Sequence, residues 1–194
     1  MSELSTGFRR SLLAAVIVAT LAACGGDRSE AEHLQAAAAF SAEAKHSAAV
    51  IEYKNALQQN PNNALTRQQL AASYLAVGDG AGAEKELRRA AELGAPAADT
   101  LLPLVKALML QSKLDEVVKQ TAQLGGLPQE QRIHLHILRG QALVTLDREA
   151  EARIEFEAAN DINPAAPLAR LGQAYDPAQQ LGGAVYLFLR GIDG

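Results

Sequence analysis

The chain has 194 residues, a formal net charge of -4 and 48% hydrophobic residues, with one cysteine and no tryptophan. A weakly acidic chain with its charges well mixed and no basic stripe is a poor partner for nucleic acid. One cysteine excludes an internal disulfide framework, and the abundance of Ala and Leu, without alternating β-branched runs, points to an all-α fold.

Arg9 and Arg10 precede an apolar run from Leu12 to Ala23, which stops at Cys24. The run is shorter than the ~20 residues a spanning helix needs, and a positive start, short apolar centre and small exit residues are those of an export signal. Leu21-Ala22-Ala23-Cys24 resembles the lipobox of bacterial lipoproteins. That likeness implies cleavage before Cys24, a diacylglycerol on its sulfur and a membrane anchor. Gly25 stands where Asp, in the proteobacterial pattern, implies inner-membrane retention, so the expected location is the periplasmic face of the outer membrane. Loss of residues 1–23 removes Glu3, Arg9 and Arg10 and leaves a charge of about -5. A short polar spacer, 24–29, follows.

A period of 34 residues then organises residues 30–175. Ala49, Tyr53 and Ala56 are matched by Ala83, Leu87 and Ala90, then by Val117, Thr121 and Leu124, and Phe40 is matched by Tyr74. After one extra residue Ala152, Phe156, Ala159 and Pro164 repeat Ala49, Tyr53, Ala56 and Pro61, and Leu171, Gly172 and Tyr175 begin a fifth copy. This spacing resembles the tetratricopeptide repeat, a solenoid of antiparallel helix pairs. The expected units are 30–63, 64–97, 98–132, 133–164 and a partial 165–175. Ala37, Ala71, Gly140 and Gly172 let the helices of one pair cross closely, as do Ala49, Ala83 and Ala152 from the second helix. Ala56, Ala90 and Ala159 are repeat-packing positions as well. Phe40, Tyr74, Tyr53 and Phe156 fill the space between pairs. Asn60-Pro61 and Asn163-Pro164 end second helices, and Val77-Gly78-Asp79-Gly80 makes a turn inside a pair. The third unit is degenerate, with Pro103 acceptable in a first helical turn and Thr121 at an aromatic or leucine position. Its junction is expected to be looser.

After Tyr175 the pattern breaks into DPAQQLGGAVYLFLRGIDG, 176–194. Helical arrays need a polar outer cap, so this tail reads as the truncated or frame-shifted end of a longer array, or as a substitute cap.

The order CGG, polar spacer, AVIEYKNALQQNPNN, AVGDGAGAEKELRRAAELGAP and LLPLVKALMLQSKLDEVV is similar to the N-terminal part of the PEP-CTERM system TPR-repeat lipoprotein (PrsT) family. The resemblance implies a setting of exosortase-associated surface sorting and exopolysaccharide production in Gram-negative bacteria, and a longer intact protein.

No residues carry catalysis. His33, His46, His134 and His136 include one i,i+2 pair, whose rings lie on different sides of a helix, so no metal or other cofactor is expected; His136 is assigned to a packing position and His134 to a groove edge. Gly78-Asp79-Gly80 and Gly182-Gly183 lack the context of a phosphate loop. Function is expected on the inner surface formed by the first helices, lined by Leu34, Ala38 and Ser41, by Gln68, Ala72 and Leu75, by Leu102, Lys106 and Met109, and by His134, Ile137 and Gln141. This groove is mostly apolar and suits a helical or extended protein segment, with Lys106 alone able to grip a carboxylate, Gln68 and Gln141 as polar contacts, and no small-molecule substrate. The expected function is a lipid-anchored periplasmic scaffold. Alternatives are a structural spacer in an outer-membrane assembly or pilus machine, and a non-functional fragment; the groove is either open or filled by the chain itself.

Overall fold

A computed structural model describes residues 28–163. The expected export signal, Cys24, the start of the spacer, Pro164, the expected partial fifth unit with Gly172, and the tail 176–194 lie outside the described residues. Eight helices occupy the described part: α1 Glu30–Ala42, α2 His46–Gln59, α3 Ala64–Ala76, α4 Gly80–Glu92, α5 Ala97–Leu110, α6 Leu114–Gln120, α7 Gln129–Thr145 and α8 Glu149–Ile162. They form four antiparallel hairpins, α1/α2 to α7/α8, in which each second helix lies on the next first helix. α5 also touches α3 and α7 directly. The chain is an all-α solenoid of tetratricopeptide type.

Local chemistry sets the helix starts. Ser29 and Glu32 form a reciprocal capping box on α1: the Glu32 carboxylate accepts from the Ser29 N–H at 2.8 Å, and the Ser29 hydroxyl accepts from the Glu32 N–H at 3.4 Å. Asn63 and Asp79 cap α3 and α4 by accepting from Thr66 N–H (3.1 Å) and Gly82 N–H (2.8 Å). α2 ends before Asn60-Pro61, and Asn60 and Asn63 both donate to the Glu30 carboxylate at 3.1 Å, which closes the end of the first hairpin onto its start.

The turn inside every hairpin uses one left-handed residue at the same place: Ala44 (φ 56°), Gly78 (φ 78°), Ser112 (φ 54°) and Asp147 (φ 57°). Glycine adopts that conformation freely, aspartate tolerates it, and Ala44 and Ser112 adopt it at a cost. Gly80 answers a different need, because a Cβ there would lie 2.7 Å from the Ala107 carbonyl oxygen on α5.

The core follows the repeat. Ala37, Ala49, Ala56, Ala71, Ala83, Ala90, Ala152 and Ala159 are fully buried, Gly140, Tyr53 and Phe156 are buried, and Phe40 and Tyr74 are half-buried. Sizes at the crossing compensate. Gly140 and Ala37 stand opposite large rings in register, Phe156 and Tyr53, while Ala71 is matched by Leu87 and Val105 by Thr121. Thr121 is therefore the small partner of a large first-helix residue. It is almost completely buried, and its hydroxyl donates to the Val117 carbonyl at 2.7 Å.

Two expectations for the third unit need correction. Pro103 is the seventh residue of α5, not part of its first turn. A proline there leaves the Asp99 carbonyl without its helical donor, and Asp99 is exposed, so water can take the donor's place. The boundary at 132/133 falls inside α7, which begins at Gln129 directly after Pro128; the fourth hairpin thus starts four residues early. The looseness expected at this junction takes the form of a short α6, seven residues, followed by an irregular stretch to Pro128. That stretch is tied down at its start, where Arg139 donates to the Thr121 carbonyl at 2.8 Å, and Gln131 links α7 to α5 by donating to the Ala98 carbonyl at 2.8 Å.

Candidate interaction surface

The first helices α1, α3, α5 and α7 each present four positions of one face, spaced three, four and four residues apart. Reading across the hairpins, the first row is Ala31, Leu65, Asp99 and His134, and the second is Leu34, Gln68, Leu102 and Ile137. The third row is Ala38, Ala72, Lys106 and Gln141, and the fourth is Ala42, Ala76, Leu110 and Thr145. Ser41, Leu75, Met109 and Val144 flank the fourth row and are half-buried.

Most of the face anticipated from the sequence is accessible. Ala38 and Ala72 are exposed, while Leu34, Gln68, Leu75, Leu102, Lys106, Met109, His134 and Gln141 are half-buried. Leu75, Leu102 and Met109 rest on the central core, and Leu34 on that of the first hairpin. Ile137 differs. It is 2% exposed and packed with Ile133, Ala159 and Ile162, so it belongs to the interior of the last hairpin. The cause is local: Ile133 stands where the other hairpins carry Glu30, Ala64 and Ala98, and it supplies an apolar neighbour one turn away.

The sequence reading missed the exposed positions of the first and fourth rows: Ala31, Leu65 and Asp99, and Ala42, Ala76, Leu110 and Thr145. Leu65 is 62% exposed, Leu110 is 49% exposed, and Ala76 is exposed in register with Leu110. The 34-residue step from Ala31 to Leu65 and from Ala42 through Ala76 to Leu110 would have found them. Leu65 and Leu110 share this face with the alanines of α1 and α3, whose small side chains let a docked backbone come close.

Charge on the face is sparse. Lys106 and Asp99 lie on α5, and among the described residues neither joins an ion pair. His134 is held below its usual proton affinity by burial; Glu130 works against this and Lys106 adds to it. Two polar atoms at this side, Gln141 Oε1 and Ser41 Oγ, are buried without a hydrogen-bond partner.

Behind the face, a polar rung joins the two helices of a hairpin at a constant position. His33 Nδ1 meets Glu52 at 2.6 Å, Arg67 pairs with Glu86, and His136 Nδ1 meets Glu155 at 2.7 Å. The third hairpin has Leu101 and Gln120 at these places. His136 is thus a hydrogen-bonding residue rather than the packing residue expected. Sequence signalled this only through pairs 19 residues apart, which hold meaning once the hairpin is known. Glu84 joins neighbouring hairpins: Lys113 (2.7 Å), Gln111 (2.8 Å) and Arg88 (2.9 Å) donate to its carboxylate. Burial alone would raise its pKa, but these three donors outweigh it and hold the group at about 2.

Among the described residues no group of three His, Cys, Asp or Glu is placed to hold a metal ion, and no described helix is long and apolar enough to cross a membrane. No family model and no curated protein matches the chain. Solved structures do match it. The crystal structure of MamA protein superposes with a TM-score of 0.67 at 17% identity, covering 84% of this chain and 90% of that one. Pseudomonas aeruginosa PilF gives a TM-score of 0.61 at 18% identity, covering 84% of this chain and 70% of that one. At such identities the likeness carries the fold: a solenoid of helical hairpins.

Proposed function

We propose that the chain is a non-catalytic scaffold that holds a protein segment on the inner face of its helical array, at the periplasmic side of a bacterial outer membrane. The observation that carries this reading is the exposure of Leu65 and Leu110 on one face of two neighbouring first helices, with the exposed Ala72 and Ala76 on the same face. Exposed apolar side chains gathered on one sparsely charged face are the mark of a protein contact. The lipobox-like run ending at Cys24 supports an anchor, and a lipidated cysteine with several acyl chains holds a protein stably where a single chain does not. The likeness of three long segments to the PEP-CTERM system lipoproteins supports a role in surface sorting or exopolysaccharide export.

Expression in a Gram-negative host with radiolabelled palmitate tests the anchor. Label is expected in the full chain and absent from Cys24→Ala. An unlabelled full chain removes the anchor, the location and the setting together, and leaves an unanchored helical scaffold.

A further inference from the structure

The strip on α5 has a polarity of its own. Asp99, Leu102, Lys106 and Leu110 follow one another along a single stripe, with the carboxylate near the start of α5 and the ammonium two turns later. Seven helical residues separate the two charges by roughly 10 Å along the axis. Leu102, resting on the central core, lies between them, and Leu110, half exposed, follows the lysine. Among the described residues most other charged side chains join ion pairs, for example Arg67 with Glu86, Arg88 with Glu84 and Glu116, and Arg139 with Glu155. Asp99 and Lys106 do not, although both stand on the helix that α3 and α7 flank. The neighbouring α3 stripe offers Leu65, Gln68, Ala72 and Ala76 and no charge.

We infer that the occupant of this face is an amphipathic helix of another protein that carries one acidic and one basic side chain seven residues apart on its apolar face. The acid meets Lys106, the base meets Asp99, and the apolar residues between them cover Leu102 and Leu65. The charge pair sets the direction of the docked helix, because only one orientation satisfies both ends; a reversed helix places like charges together. The alanines of α3 allow the two helices to approach at the 8–10 Å spacing of packed helices. Ion pairs at an accessible surface contribute little to affinity singly, so the role of the pair is orientation and selection.

This inference rests on the inner face being the binding surface, and the experiment separates the two. Three dye-labelled helical peptides of equal length share a Leu/Ala face and differ at two positions seven residues apart: Glu and Lys, Gln and Gln, or Lys and Lys. Fluorescence anisotropy with the full-length chain at low salt is expected to show the Glu/Lys peptide binding about fivefold to tenfold tighter than Gln/Gln, with Lys/Lys weaker than Glu/Lys. The double variant Asp99→Asn, Lys106→Gln, with its helix content checked by circular dichroism, is expected to bind all three alike. Equal affinities for the unaltered chain overturn the charge-matched occupant and leave the binding face intact. Refusal of all three peptides overturns the binding face as well. If sedimentation then shows self-association that Leu65→Lys abolishes, the occupant is a second copy of the chain.

Discussion

Replacing Gly140 by alanine sets two measured tendencies against each other. Within a helix alanine is favoured over glycine by about 1 kcal/mol, and Gly140 lies well inside α7. A Cβ at that position would nevertheless stand 2.5 Å from Cε1 of Phe156, 2.8 Å from Cζ and 2.9 Å from Cδ1. Three atoms of one rigid ring are involved, and the ring is enclosed by Leu143 and Ala152 with Val118 and Val144 around it. It cannot step aside without moving α8. Overpacking of this kind costs about 1–3 kcal/mol, and a clash with a trapped ring belongs at the upper end. A net loss of about 1–2 kcal/mol follows, or a fall in melting midpoint of several degrees. The chain has no tryptophan, so far-ultraviolet circular dichroism is the suitable probe. In the double variant Gly140→Ala, Phe156→Leu the clash is gone and the helix preference remains. The double-mutant cycle should therefore show a favourable coupling of at least about 1 kcal/mol. A higher midpoint for Gly140→Ala alone, or additivity within about 0.5 kcal/mol, would refute the argument that this crossing is closed by size complementarity.

The same crossing in the third hairpin predicts that Thr121→Leu alone destabilises the array, and that adding Val105→Ala recovers most of the loss; chemical denaturation of the single and double variants tests this. Ala44 has φ 56°, a conformation that costs about 1–2 kcal/mol outside glycine, against the backbone entropy of about 0.5–1 kcal/mol that glycine adds. Ala44→Gly should raise stability by about 0.5–1 kcal/mol and Gly78→Ala should lower it; midpoints moving together in one direction would contradict the shared turn geometry. Glu84 has a folded pKa of about 2 against an ordinary 4.5. Its contribution is present above about pH 4.5 and is lost as pH falls towards 2. Glu84→Gln should be less stable at pH 7 and should show a flatter decline through that acid range, read from denaturation midpoints at successive pH values.

The repeat period made the helix pairs and their small crossing residues readable in the sequence, because Ala37, Ala49, Ala71 and Ala83 recur at the step of a stacked hairpin. It could not place helix ends in the third unit. There Pro103 looked like a starting residue, whereas the helix begins at Pro96-Ala97 and runs through it. Periodicity gave the direction in which Ile137 should point but not its neighbours, and Ile133 and Ile162 draw it inside. The rungs His33–Glu52, Arg67–Glu86 and His136–Glu155 depend on which residues face across a hairpin. No local pattern in either helix announces them. On the inner face, Leu65 and Leu110 were passed over because three positions per helix were read and the face has four.

Site-specific photocrosslinking in living cells bears most directly on the claim that the inner face is the working surface. A benzophenone amino acid at Leu65, Ala72 or Leu110 is expected to form discrete protein adducts, while the same probe at Ile51 or Ile154, both exposed on second helices, forms none. Adducts confined to Ile51 and Ile154, with the inner positions silent, would contradict it and move the partner surface to the outside of the solenoid.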